Sequence, residues 1–110
     1  MVWGVIFMKL YDKDIRKLLI QEFLEIDEYV SDPSTIVVDE LDVCAGIARI
    51  DMVVINGKMH GYEIKSERDN LDRLPYQAEY YSSVFDTVTL VVSENHLNKV
   101  EQIIPDWWGI

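Results

Sequence analysis

Apolar positions recur along this chain in two periods, and the change from one to the other marks out its elements. From Asp12 to Val30 the residues Ile15, Leu18, Leu19, Phe23, Ile26 and Val30 return every three or four positions, the spacing of one helix face. Asp12 suits the cap, and Ser31-Asp32-Pro33 ends the segment because the residue before a proline leaves the helical region. Glu22, Glu25, Asp27 and Glu28 read as its solvated face. A β-prone run, Thr35 to Val38, leads into Asp39-Glu40-Leu41-Asp42, and Val43 to Ala48 reads as a turn or loop around Gly46. Two further runs, Ile50 to Ile55 and Met59 to Ile64, flank Asn56-Gly57 as the arms of a hairpin. A second helix is expected from Leu71 to Ser83, with Pro75 in its first turn, followed by a buried strand from Thr87 to Val92. A last short helix starts at Ser93 or Asn95 and runs to Ile104, where Pro105 stops it.

The hairpin carries charges that strands rarely hold. Asp51 interrupts its first arm, and Glu63 and Lys65 bracket Ile64 in the second. Ionised groups in apolar strands cost desolvation energy unless they are compensated. Glu63 and Lys65 share a face because side chains alternate along a strand. Asp51 joins them only if the turn has three residues; a two-residue Asn56-Gly57 loop would set Asp51 opposite Tyr62 and turn it away. The three-residue form, with Gly57 in the left-handed region, is the expectation. It gathers two carboxylates and an ammonium on one face, a pattern suited to a hard divalent cation.

Composition sets bounds on this picture. With 110 residues, 49% of them hydrophobic and 27% charged, the chain is expected to form one domain over residues 1–110. Its one cysteine, Cys44, excludes an internal disulfide, and the reading is reduced and cytoplasmic. The apolar Met1 to Leu10 is too short to span a membrane and lacks a signal-peptide pattern; it reads as an added strand. Met8-Lys9 offers an alternative start, and residues 1–11 are taken as an N-terminal extension. Ten basic residues against twenty acidic ones leave a net charge of −10, the reverse of the basic footprint of a protein that grips long nucleic acid.

Asp51, eleven intervening residues and Glu63-Ile64-Lys65 resemble the signature of the PD-(D/E)XK nuclease superfamily. Gln77 and Tyr81, a Gln-x-x-x-Tyr on the second helix, resemble the added motif of its RecB-type branch. The ordered set Arg49-x-Asp51, Gly61 to Ser66, Asp69, Leu71, Arg73-Leu74-Pro75, Gln77, Tyr81, Phe85-Asp86 and Pro105-x-Trp107-Trp108-Gly109-Ile110 looks like a poorly characterised family of small bacterial and phage proteins within that superfamily. The resemblance implies an α+β fold, a restriction-endonuclease-like αβββαβ core with a mixed sheet flanked by helices. It also implies a nuclease dependent on Mg²⁺ or Mn²⁺ and acting on DNA or RNA. Asp51 and Glu63 would be metal ligands, with the Ile64 carbonyl and Glu40 as further ones. Lys65 would act on the attacking water, and Gln77, Tyr81, Arg49 and Ser66 would contact substrate.

A second reading stays open beside the enzyme, a nuclease-fold binding protein without activity. It would work as an acidic mimic of nucleic acid or as a subunit of a phage, defence or repair assembly. A homodimer, or a protein partner docked through Trp107 and Trp108, is expected in either case, and no membrane.

Overall fold

The computed structural model describes residues 5–6 and 12–110, and side chains from residue 14 onward. The elements run β1 (Val5–Ile6), α1 (Asp12–Phe23), α2 (Asp27–Val30), β2 (Ile36–Val43), β3 (Ala48–Ile55), β4 (Met59–Lys65), α3 (Leu74–Val84) and β5 (Thr87–Ser93). A 3₁₀ turn at Glu94–His96 then leads into α4 (Leu97–Val100). The strands form one mixed sheet in the order β1-β5-β4-β3-β2. β2, β3 and β4 are antiparallel neighbours, whereas β5 runs parallel to β4 and to β1. The fold is thus the expected α+β arrangement with helices against a mixed sheet, and the αβββαβ order is present from α1 to β5. The alternative start at Met8-Lys9 lies outside the described residues. No helix among the described residues is long and apolar enough to cross a membrane.

Two apolar clusters cover the two sheet faces. Ile15, Leu19 and Phe23 of α1 pack with Tyr29, Met52, Val54, Tyr62, Ile64 and Val91. On the opposite face Leu74, Ala78 and Tyr81 of α3 pack with Ile50, Val53, Phe85, Leu90 and Trp108. Gly61 of β4 lies where the second cluster is tightest, since a Cβ there would stand 2.6 Å from Ile50 Cδ1 and 3.1 Å from the Phe85 ring.

The first helix is shorter than its periodicity predicts. It ends at Phe23, Ile26 is extended (φ −94°, ψ 110°), and a separate turn of helix begins at Asp27. Helix dipoles account for the break. A continuous helix would hold Glu22, Glu25, Asp27 and Glu28 toward its negative end, whereas the break puts Asp27 and Glu28 in the first turn of α2, where acids are favourable. It also changes what is buried: Tyr29 goes inside and Val30, placed by the pattern on the inner face, is 54% exposed. Farther on, β2 continues through the acids to Val43, and Cys44, Ala45 and Gly46, with φ of 51°, 58° and 84°, turn the chain tightly into β3. The last helix is also shorter than expected: α4 ends at Val100, and turns carry the chain on toward Pro105.

The hairpin forms as expected. Ile55 pairs with Met59, leaving Asn56, Gly57 and Lys58 as a three-residue loop with Gly57 at φ 90°. The same register would bring Asp51 opposite Glu63, but the paired ladder stops at Met52 and Tyr62. On the other side of β3, pairing skips the Glu40 and Asp51 positions and resumes with Leu41 and Ile50. Ile50 and Met52, two residues apart, belong to opposite core clusters, so β3 changes the face it presents at Asp51. β2 changes with it, through Glu40 in the left-handed region at φ 53°. Strict alternation would have kept residues 50 and 52 on one face.

Candidate functional site

The face switch sets Asp51 between the two layers. Its backbone N–H donates to Glu63 Oε1 at 3.3 Å, on the α3 side. Its carboxylate meanwhile accepts the Ile64 N–H at 2.7 Å, taking a donor that the interrupted β3–β4 ladder leaves over. Arg16, from α1 on the opposite face, reaches the same residue twice, with Nη1 to the Asp51 carbonyl and Nη2 to Oδ1, both at 3.0 Å. Arg16 Nη2 also lies 3.7 Å from Glu40 Oε1, and Nη1 lies 4.0 Å from Asp39 Oδ1.

Glu63 and Lys65 turn toward α3, because Tyr62 and Ile64 beside them belong to the α1-side cluster. Glu63 is 4% exposed. Its Oε2 accepts Gln77 Nε2 at 3.2 Å and lies 3.4 Å from Lys65 Nζ, and Tyr81 Oη is 3.3 Å from Oε1. Burial, followed by the Asp51 charge, pushes the Glu63 carboxyl up to about 8, with Lys65 pulling the other way. Burial also raises the Tyr81 phenol, which donates to the Arg49 carbonyl at 2.8 Å. Gln77 and Tyr81, four residues apart on α3, thus both reach Glu63, but the Gln77 Oε1 has no hydrogen-bond partner among the described residues.

The other expected site residues lie elsewhere. The Arg49 side chain turns outward to Asp42, with Nε to Oδ1 at 2.8 Å, and only its carbonyl meets the cluster. Ser66 closes a local turn, its N–H and hydroxyl both donating to Asp69 Oδ2, at 2.7 and 3.0 Å. Glu40 meets Arg16 at the rim, exposed, whereas Ile64, expected to offer its carbonyl, stays beside Asp51 and donates its N–H to that carboxylate. Arg16 itself was missed. Its signal was its place on the margin of the Ile15, Leu19 and Phe23 stripe, where a long basic side chain can reach past the apolar face to the sheet. Also missed was a polar group by β4: His60 Nδ1 pairs with Thr87 Oγ1 at 2.8 Å and Nε2 with Asn56 Oδ1 at 2.9 Å, and the Tyr29 and Tyr62 hydroxyls are hydrogen-bonded to each other.

The donor set does not fit the expected divalent cation. Between Asp51 and Glu40, where those ligands would meet, stands a guanidinium. Among the described residues no group of three or more His, Cys, Asp and Glu is placed to hold a metal ion. As an assembly the cluster is a partly buried network satisfied largely from within, able to tie α1, β3, β4 and α3 together.

Comparison with known proteins points away from the enzyme as well. The sequence model of a family described as Bacteriophage P4 protein cII matches residues 8–110. Protein cII of Enterobacteria phage P4 is 29% identical over 94 residues, covering 86% of this chain and 35% of that protein, so the chain spans about a third of the length of this curated relative. No solved structure matches. The expected phosphodiesterase, with its nuclease, hydrolase and metal-binding character, is corrected by this kinship, which is to a phage protein family and not to a family of nucleases. The small phage family glimpsed in the ordered motifs stands, and with its model matched from residue 8 to residue 110 the chain belongs to the family of Bacteriophage P4 protein cII.

Proposed function

We propose that this protein is a regulatory binding protein, which changes the behaviour of a basic protein partner by docking on it and makes or breaks no covalent bond. The observation that carries the reading is Arg16. By bonding Asp51 through both carbonyl and carboxylate and leaning on Glu40, it fills from within the place where a catalytic acid cluster would need an open cation or substrate position. Glu63, Lys65, Gln77 and Tyr81, at 4%, 8%, 4% and 0% exposure, support the same view, since their polar groups serve the interior. The net charge of −10 gives the outer surface a field that attracts lysine- and arginine-rich segments and repels a phosphate backbone.

The test is fluorescence anisotropy with three labelled probes at about 0.1 M salt, where the Debye length is about 10 Å. The probes are duplex DNA, single-stranded DNA and a peptide rich in arginine and lysine. The expected result is saturable binding of the peptide and none of either DNA. Tight DNA binding with no response to the peptide would overturn the reading.

A further inference from the structure

The C-terminal segment builds a second polar feature, away from the Asp51 cluster. Past Pro105 the chain lies along β5: Gly109 N–H donates to the Val88 carbonyl at 2.8 Å and Leu90 N–H to the Gly109 carbonyl at 2.9 Å, a parallel bridge beside Thr89. This fixes the two tryptophans differently. Trp108 turns inward, 6% exposed, with Nε1 donating to Ser82 Oγ at 3.0 Å, while Trp107 stays 50% exposed with its ring 6.4 Å from that of Trp108 at 75°. Between this segment, α2 and the starts of β4 and β5 lies a cleft of about 320 Å³.

The lining of the cleft is selective. Tyr29, Tyr62, Trp107 and Trp108 supply aromatic walls, and among the described residues the charged side chains along it are Glu28 and Asp106, with no lysine or arginine. His60 also lines it, but both its ring nitrogens are engaged by Asn56 and Thr87, and burial holds it toward the neutral form. Among the described lining residues an anion would meet two carboxylates and no donor cation. A hard metal ion would find two carboxylates, while the Tyr29 and Tyr62 hydroxyls are hydrogen-bonded to each other and the Thr87 hydroxyl to His60, short of the six or more free oxygens such ions take. A planar organic cation is served by both halves of the lining, its π-face on tryptophan or tyrosine and its N–H groups on carboxylate oxygens.

We propose that this cleft binds a guanidinium group, presented as an arginine side chain by the partner protein, with Trp107 as the stacking surface and Glu28 and Asp106 as the anionic rim. The assignment rests on the binding-protein reading above and gives it a location. A volume of about 320 Å³ is at the low end for small-molecule pockets and suits one side chain. The exposed half of Trp107 beside the mouth is surface that a protein ligand would cover and a free small molecule would leave wet. Tryptophan and arginine are also the residue types that dominate the energetics of protein interfaces. The acidic surface adds attraction at long range, while the cleft supplies discrimination.

The experiment is a titration of the whole chain, read by tryptophan fluorescence, with a short peptide bearing arginines spaced by neutral residues. Further arms use the same peptide with citrulline in place of arginine, the same peptide with lysine, and N-acetylarginine amide. The expected order is arginine peptide tightest, lysine peptide several-fold weaker and citrulline peptide without effect, with the free amide at least tenfold weaker than the arginine peptide. Asp106→Asn weakens the arginine peptide about tenfold, and Glu22→Gln, an equal change of charge on the outer face of α1, leaves it unchanged. Trp107→Ala, at a half-exposed position the fold does not depend on, gives the same loss when a fluorophore on the peptide is followed by anisotropy. Equal weakening by Asp106→Asn and Glu22→Gln would overturn the cleft and leave the binding-protein reading standing on surface charge alone. Equal binding of the arginine and citrulline peptides would overturn the guanidinium, and a free amide binding as tightly as the peptide would overturn the protein source. Loss of every basic-peptide response together with DNA binding would remove both proposals.

Discussion

Glu63→Gln tests whether the buried cluster stores a proton. Burial pushes the carboxyl up to about 8 in the folded protein from its ordinary value of 4.5. Between those two values the folded state binds more protons than the unfolded state, so stability falls as pH rises. The contribution is fully present below about 4.5 and is gone once pH has passed about 8. At about 1.36 kcal/mol per pKa unit, the interval corresponds to an upper figure of ~5 kcal/mol. Glutamine keeps the shape and cannot ionise. Gln77, whose Oε1 lacks a partner, can turn that oxygen toward the new amide. The variant is therefore expected to match the wild type within ~1 kcal/mol near pH 5 and to exceed it by ~3–5 kcal/mol near pH 9. Urea unfolding followed by tryptophan fluorescence across that range measures this. The quantity to read is the difference between the two proteins. His60, held below its usual value by burial, adds a slope of opposite sign: its contribution is lost as pH falls, and it is common to both. If the two stability curves stay parallel from about pH 5 to about pH 9, Glu63 holds no raised pKa and the account of the buried cluster fails.

Three further outcomes follow from the geometry. Arg16→Met removes two hydrogen bonds to Asp51 and a positive charge beside its carboxylate; a loss of ~2–3 kcal/mol in urea unfolding is expected, most of it absent in an Asp51→Asn background. Gly61→Ala drives a methyl against Ile50 Cδ1 and the Phe85 ring and should cost ~1–3 kcal/mol with an unchanged denaturant m-value, whereas Gly57→Ala meets no neighbour and pays only for its positive φ. Glu40→Gly relieves a left-handed non-glycine residue and should raise the melting temperature slightly, by an amount equivalent to ~1 kcal/mol, while Glu40→Val at the same φ should lower it.

How far the sequence could be read depended on whether a feature was local. The Asn56-Gly57 loop was legible to the residue, because a glycine that can take positive φ and two arms of fixed period leave few registers. The pairing of Gln77 and Tyr81 on one face of α3, both reaching Glu63, was legible from their spacing. The break before Asp27 was not, since the apolar period runs on through Ile26 and Val30 and only the accumulation of acids argues against it. Nor was the change of face at Glu40 and Asp51. It requires two strands to twist together, and neither Glu nor Asp advertises such a bend as glycine would. The function was misread for a related reason. Asp51, Glu63 and Lys65 do lie near one another, though the change of face at Asp51 keeps them from the single face their spacing implied, and the residue that decides what they can do, Arg16, comes from a helix thirty-five positions away and carries no motif. A pattern of acids and a lysine fixes who meets; the counter-charge fixes whether the meeting is a reaction centre or a tie between layers.

The bend at Glu40 has a bearing on how the molecule behaves in a crowd of its own kind. β2 is the outermost strand of the described sheet, and it begins with Ile36 and Val37 at 53% and 41% exposure, an apolar start of the sort that recruits a neighbouring strand. A second copy zipping along that rim would find it flat for only four residues. At Glu40 the strand rolls over, its hydrogen-bonding groups change direction, and Asp39, Glu40 and Asp42 meet their own images at close range. The same twist that carries Asp51 between the layers therefore also makes the open side of the sheet a poor template for a neighbouring strand.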